Sequence, residues 1–166
     1  TPSSVVAGAL WKATATITDA YYNPVGASGT GNVWMNTSDP YDADGSTQTL
    51  ISGTTSFAVR LLQAGSQSLN AYHLQGLYST GTVTGVPVVA GAASQFMLLV
   101  PGETYAPGRP ANFSFIGEPA GKTGTPAAPF TAGTPFPVTV YGTDALFNLV
   151  STNPVVSVLS DDAYGT

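Results

Sequence analysis

Apolar and polar residues alternate with a period of two along most of this chain, a rhythm that predicts strands. Over residues 11–18, Trp11, Ala13, Ala15 and Ile17 fall on one face, and Lys12, Thr14, Thr16 and Thr18 on the other. The same rhythm predicts a strand over 32–37, where an inward Val33 and Met35 put Trp34 outward. It predicts another over 56–62, with Phe57, Val59 and Leu61 inward and Arg60 outward, and two more over 68–74 and 81–89. Residues 69–78 could be drawn as a helix, but Gly76 and the β-like runs on both sides favour a strand. Short strands about every ten residues, separated by glycine and polar turns, predict an all-β protein of the sandwich type.

The strongest long-range signal is an echo. Residues 7–25 (AGALWKATATITDAYYNPV) return without a gap as residues 132–150 (AGTPFPVTVYGTDALFNLV), about 125 positions later. Identical pairs include Gly8/Gly133, Thr14/Thr139, Asp19/Asp144, Ala20/Ala145 and Asn23/Asn148, and Ser38-Asp39 is answered further on by Ser160-Asp161. Such spacing indicates a duplicated unit rather than a shared catalytic motif. In the second copy a strand over 136–140 is expected, with Phe136, Val138 and Val140 inward and Pro137 near its start. Asp19 and Asp144 each precede an Asn by four residues, which reads as a turn held by side chain to backbone bonds.

The echo divides the chain into a unit over 1–90 and a second over 91–166, the latter expected to be incomplete within this sequence. Residues 96–100 (FMLLV) open the second unit as a continuous apolar run, followed by a long Pro/Gly-rich passage over 101–133. A passage of that length is either a strap laid over the sandwich or a functional protrusion. Phe113, Phe115 and Ile116 within it suggest a packed segment, read as a short extra strand.

Charged residues make up only 8% of the chain, so Ser, Thr, Gly, Ala and Pro must carry much of the surface. A net charge of -5 argues against nucleic acid and anionic lipid as partners. Without cysteine there is no disulfide framework or thiolate metal site, and His73 alone cannot build structural zinc. No apolar run reaches the roughly 18 residues of a membrane span, so direct membrane insertion is not expected. The composition suits an exported bacterial protein at the cell surface or outside the cell.

The phrases AGTPFPVTVYGTDALFNLV, GNVWMNTSDP, TTSFAVRLLQAGSQSLNAYHLQG and VVAGAASQFMLLVPGETYAPG occur in an informative order. Together they resemble the tandem bacterial immunoglobulin-like repeats of very long surface and adhesin-type proteins. The resemblance covers nearly the whole chain, although the long Pro/Gly passage is less general. It implies tandem immunoglobulin-like β-sandwiches used as building blocks, and no catalytic residues. An incomplete second sandwich would expose a sheet edge and an apolar face. The expected partners are therefore adjacent repeats or copies of the same chain, joined by strand completion or end-to-end packing.

Candidate sites are few. Asp39, Asp42 and Asp44 cluster in SDPYDADGST, and Asp42 and Asp44 alternate before Gly45 as in part of a calcium loop. The spaced ligands and terminal Glu of an EF-hand are missing and such turns favour Asp and Gly anyway, so no cofactor is expected, with calcium as the one candidate. Trp34 is a candidate contact between modules, with a sugar-stacking platform as the alternative. Asn36 and Asn112 match the glycan acceptor pattern. Glu103 and Glu118 form no evident acid–base pair, and no base stands beside a serine, so enzymatic activity is not expected. Two roles follow: a structural repeat stacked into a stalk, coat or filament, or an adhesin or carbohydrate-binding module.

Overall fold

A computed structural model describes residues 3–26, 30–42 and 46–161. Its strands are β1 (Val5–Val6), β2 (Leu10–Thr16), β3 (Asn32–Thr37), β4 (Ser46–Thr49), β5 (Thr54–Arg60) and β6 (Gly65–His73), followed by β7 (Gly81–Val89), β8 (Gln95–Leu99), β9 (Glu103–Tyr105), β10 (Lys122–Gly124) and β11 (Thr139–Thr143). The protein is all-β, with no helix among the described residues.

Five strands form one sheet in the order β1-β7-β6-β3-β4, in which β1 runs parallel to β7 and the other pairs are antiparallel. Strands β2 and β5 form a second, antiparallel sheet from Leu10↔Arg60 to Thr16↔Thr54. The inner faces of both sheets meet in one core, where Val33, Met35, Leu69 and Val86 pack with Phe57 and Val59. This arrangement is consistent with a β-sandwich, and the period-two pattern is its cause. Val33 and Met35 are buried, as are Phe57, Val59 and Leu61, while Arg60 is exposed. Full burial of side chains such as Phe57 and Leu61 contributes about 1.5–3 kcal/mol each. Trp11, Ala13, Ala15 and Ile17 pack against the same core, as their alternation requires.

Residues 65–73 are a strand rather than a helix, with a register shift between Gln67 and Leu69. Buried Gln67 is satisfied there, accepting a hydrogen bond from Ser38 Oγ at 2.6 Å and donating to Gln63 O at 3.2 Å.

Beyond this body, β8 pairs with β11 and β9 with β10, both antiparallel. Two expectations are corrected here. The strand of the second echo begins at Thr139, three residues after Phe136, because Pro135 and Pro137 have no N–H to give to a ladder. Phe136 and Val138 are consequently exposed, and Phe136 stacks on Phe130 with ring centroids 4.4 Å apart. Residues 113–116 are not a strand either. Asn112 lies at φ 56°, and Glu118 accepts hydrogen bonds from the N–H groups of Ser114 and Phe115, which closes the segment into a turn and leaves Ile116 exposed. The strands of the Pro/Gly passage are β9 and β10 instead.

Candidate functional site

The echoed sequence builds the same turn twice. In the first, Asp19 Oδ1 accepts hydrogen bonds from the N–H groups of Tyr21 (2.8 Å) and Asn23 (2.9 Å), and Asn23 Nδ2 donates to Asp19 Oδ2 at 3.0 Å. In the second, Asp144 Oδ1 accepts from Leu146 N (2.9 Å) and Asn148 N (2.8 Å), and Asn148 Nδ2 donates to Asp144 Oδ2 at 3.2 Å. Asp19 N donates to Asn23 O and Asp144 N to Asn148 O, while Tyr22 and Phe147 take positive φ angles of 63° and 62°. The bridge Thr18↔Pro24 recurs as Thr143↔Leu149. An Asp able to accept several N–H groups, with an Asn four residues on, is sufficient cause for this geometry. Hydrogen bonds from the Asn23 side chain and N–H hold the Asp19 carboxyl below the usual carboxylate range.

The surroundings of the two turns differ completely. Asp19 and Asn23 are exposed, and Tyr21 and Tyr22 at the first tip are 85% and 86% exposed. Asn148 is 0% exposed because its turn is seated against the base of the sandwich formed by residues 5–89. Its Oδ1 accepts from Ala64 N at 2.8 Å and its Nδ2 donates to Leu62 O at 2.9 Å. Asp144 Oδ2 accepts from Gly91 N at 2.8 Å. Gly8 leaves room for Leu146, whose Cδ1 lies 2.8 Å from where a Cβ on Gly8 would stand.

The Pro/Gly passage clamps the same turn from the other side. Tyr105 donates its hydroxyl to Phe147 O at 2.6 Å and stacks on Tyr141, with centroids 4.6 Å apart. Burial pushes the Tyr105 phenol up, with Asp144 and Tyr141 adding to it. Gly108 N donates to Leu146 O, and a Cβ on Gly121 would collide with Met97 and Phe147. Residues 103–122 of the passage strap the turn in this way, and their charges hold them in shape. Lys122 Nζ pairs with Glu103 at 2.8 Å across β9 and β10. Arg109, buried, pairs with Glu118 and donates to Pro119 O and Lys122 O. Burial pushes Glu103 up, but the Lys122 ammonium and the Val100 N–H outweigh it and leave its carboxyl below the usual range. Glu118 is lowered likewise: desolvation opposes, and the Ser114 N–H and Arg109 prevail. Arg109 was not singled out in the sequence, since a lone arginine in a Pro/Gly passage carries no pattern.

The candidate calcium ligands are only partly gathered. Asp39 is buried with its carboxylate turned onto the N–H groups of Tyr41, Leu62 and Gln63, and Asp42 accepts from Thr37 Oγ1 at 2.6 Å. Asp44 lies outside the described residues, and no group of three potential ligands is found among the described ones. Trp34, half-buried, leans on Tyr72 with centroids 5.5 Å apart. Asn36 sits in β3 and accepts from Asn70 Nδ2 at 3.4 Å, whereas Asn112 is at an exposed turn. His73 is buried, with Nε2 3.2 Å from Thr30 O and Nδ1 3.2 Å from Leu77 N. Comparison with protein-family models, curated proteins and solved structures finds no match for this chain.

Proposed function

We propose that this chain is a non-catalytic, immunoglobulin-like repeat module of a long extracellular or cell-surface protein, stacking end to end into a stalk, coat or filament. The observation that carries this reading is the turn built twice, exposed at Asp19–Asn23 and buried against the preceding sandwich at Asp144–Asn148. A unit that seats its successor through a fixed set of hydrogen bonds is a structural element of an array. The strand order, with β2 and β5 facing β1-β7-β6-β3-β4, supports the immunoglobulin-like reading. The low surface charge supports close packing of neighbours.

The test is a series of chains carrying increasing numbers of copies of residues 5–129, followed by residues 130–161. Small-angle scattering is expected to show a maximum dimension growing by a constant increment per copy. Particles whose units reorient freely, with no regular increment, would refute stacking.

A second reading, a carbohydrate-binding adhesin, is favoured by one observation. Trp34 and Tyr72 form an adjacent aromatic pair on neighbouring strands, a surface on which a sugar ring can stack. Glycan binding abolished by Trp34→Ala would establish it.

A further inference from the structure

Among the described residues, strand β2 has a partner on one side only. Ile17 N donates to Gly53 O, toward β5, so the backbone groups of Thr14, Thr16 and Thr18 point to the opposite edge, because successive residues of a strand alternate edges. In the second echo that same edge is occupied. Thr143, the counterpart of Thr18, accepts from Ser94 N, and β8 runs along β11 with Leu99↔Thr139, Met97↔Tyr141 and Gln95↔Thr143. The edge that β8 fills beside β11 is thus left open beside β2 by the described residues.

Next to the bare edge lies an open groove of about 760 Å³, whose lining includes Ala15, Ile17, Met35, Leu69, Tyr78 and Val83. Strand β8 has a matching face. Met97 and Leu99 are buried on the side covered by the strap, but Phe96 and Leu98 are 52% and 43% exposed on the other. They stand opposite Gly142 and Val140, whose counterparts are Ile17 and Ala15 in the wall of the groove. Laid along β2 in the register it keeps with β11, such a strand directs a Phe and a Leu into the groove. Its backbone meets the unpaired edge.

We propose that this edge and groove are a docking site for an extended strand of β8 type, supplied by another unit of the same kind. The exposed Asp19–Asn23 turn belongs to the same joint. In the second echo the strand, the strap and the sandwich base converge on one turn, and Tyr21 and Tyr22 hold the places of the seated Leu146 and Phe147. The proposal rests on the repeat-module reading and adds to it the element that enters and the register it takes.

The probe is a fluorescent peptide of residues 92–102 (AASQFMLLVPG), titrated into the full chain and read by anisotropy and hydrogen exchange. Saturable binding is expected, with amide protection appearing over residues 14–18. A peptide with Asp at the positions of Phe96 and Leu98 is expected to bind weaker by tenfold or more, on the order of 1.4 kcal/mol. Thr16→Pro removes an N–H that faces away from β5, so the variant is expected to keep its circular dichroism spectrum and lose the peptide. Absence of binding, binding unchanged by Thr16→Pro, or protection appearing elsewhere would overturn the docking site. None of those results alters the regular growth of the concatenated chains, so the two readings fail separately.

Discussion

Asn148 and Ala64 stand 84 positions apart in sequence, yet the Ala64 N–H donates to the Asn148 side-chain oxygen at 2.8 Å. With both of its own N–H groups also engaged, on Leu62 O and Asp144, the buried Asn148 amide has every donor satisfied. The contact turns a local turn into a joint.

Asn148→Ala leaves Ala64 N and Leu62 O without their partner, and an orphaned buried polar group costs about 1–3 kcal/mol. Denaturant unfolding should register a loss of that order. Asn23→Ala, at the exposed twin, is expected to cost less than half as much because water replaces the lost bonds.

Gly8 and Gly76 both have positive φ, 78° and 69°, so an alanine at either carries a backbone strain of about 1–2 kcal/mol. Only at Gly8 does the new Cβ also meet Leu146, since the space at Gly76 is open. Gly8→Ala should therefore destabilise more than Gly76→Ala. In a Leu146→Ala background the excess should vanish, a double-mutant cycle that isolates the contact.

Acid should loosen the strap. Glu103 and Glu118 have carboxyls lowered from an ordinary value of 4.5, so their stabilising contribution is present above that value. It is lost as pH falls through the lowered folded values. Proteolysis within residues 106–121 is expected to accelerate below about pH 4.5, and Glu103→Gln should make the rate less dependent on pH.

Phe57 lies at the centre of the sandwich with 1% exposure, and Phe57→Ala should cost about 3–5 kcal/mol. Thermal unfolding of the body formed by residues 5–89 measures it.

Where one face of a strand is buried, the alternation in the sequence carries its position, and β3, β5, β6 and β7 were legible for that reason. Strands held mainly by backbone bonds left no such trace. β4 is exposed at every residue, β1 has two residues, and β9 and β10 have three each. Phe113, Phe115 and Ile116 misled because apolar character in a short turn does not imply burial: Phe113 instead meets Tyr41 edge-on at 5.1 Å and lies under the Arg109 guanidinium. The turn itself was legible from Asp144 and Asn148, since its bonds are local. Its seat was not, because Ala64, Leu62 and Gly91 contribute only main-chain groups, which every residue has in common.

Main-chain seating of this kind bears on how an array of the proposed type would diversify. A seat made of two backbone N–H groups, one carbonyl and a glycine gap asks little of side-chain identity. Asp, Asn and a few small residues are enough to preserve the fit. In the proposed array, neighbouring links would be free to exchange most of their surface residues while remaining interchangeable in the series. Selection would then tune what each link displays without redesigning how it is coupled.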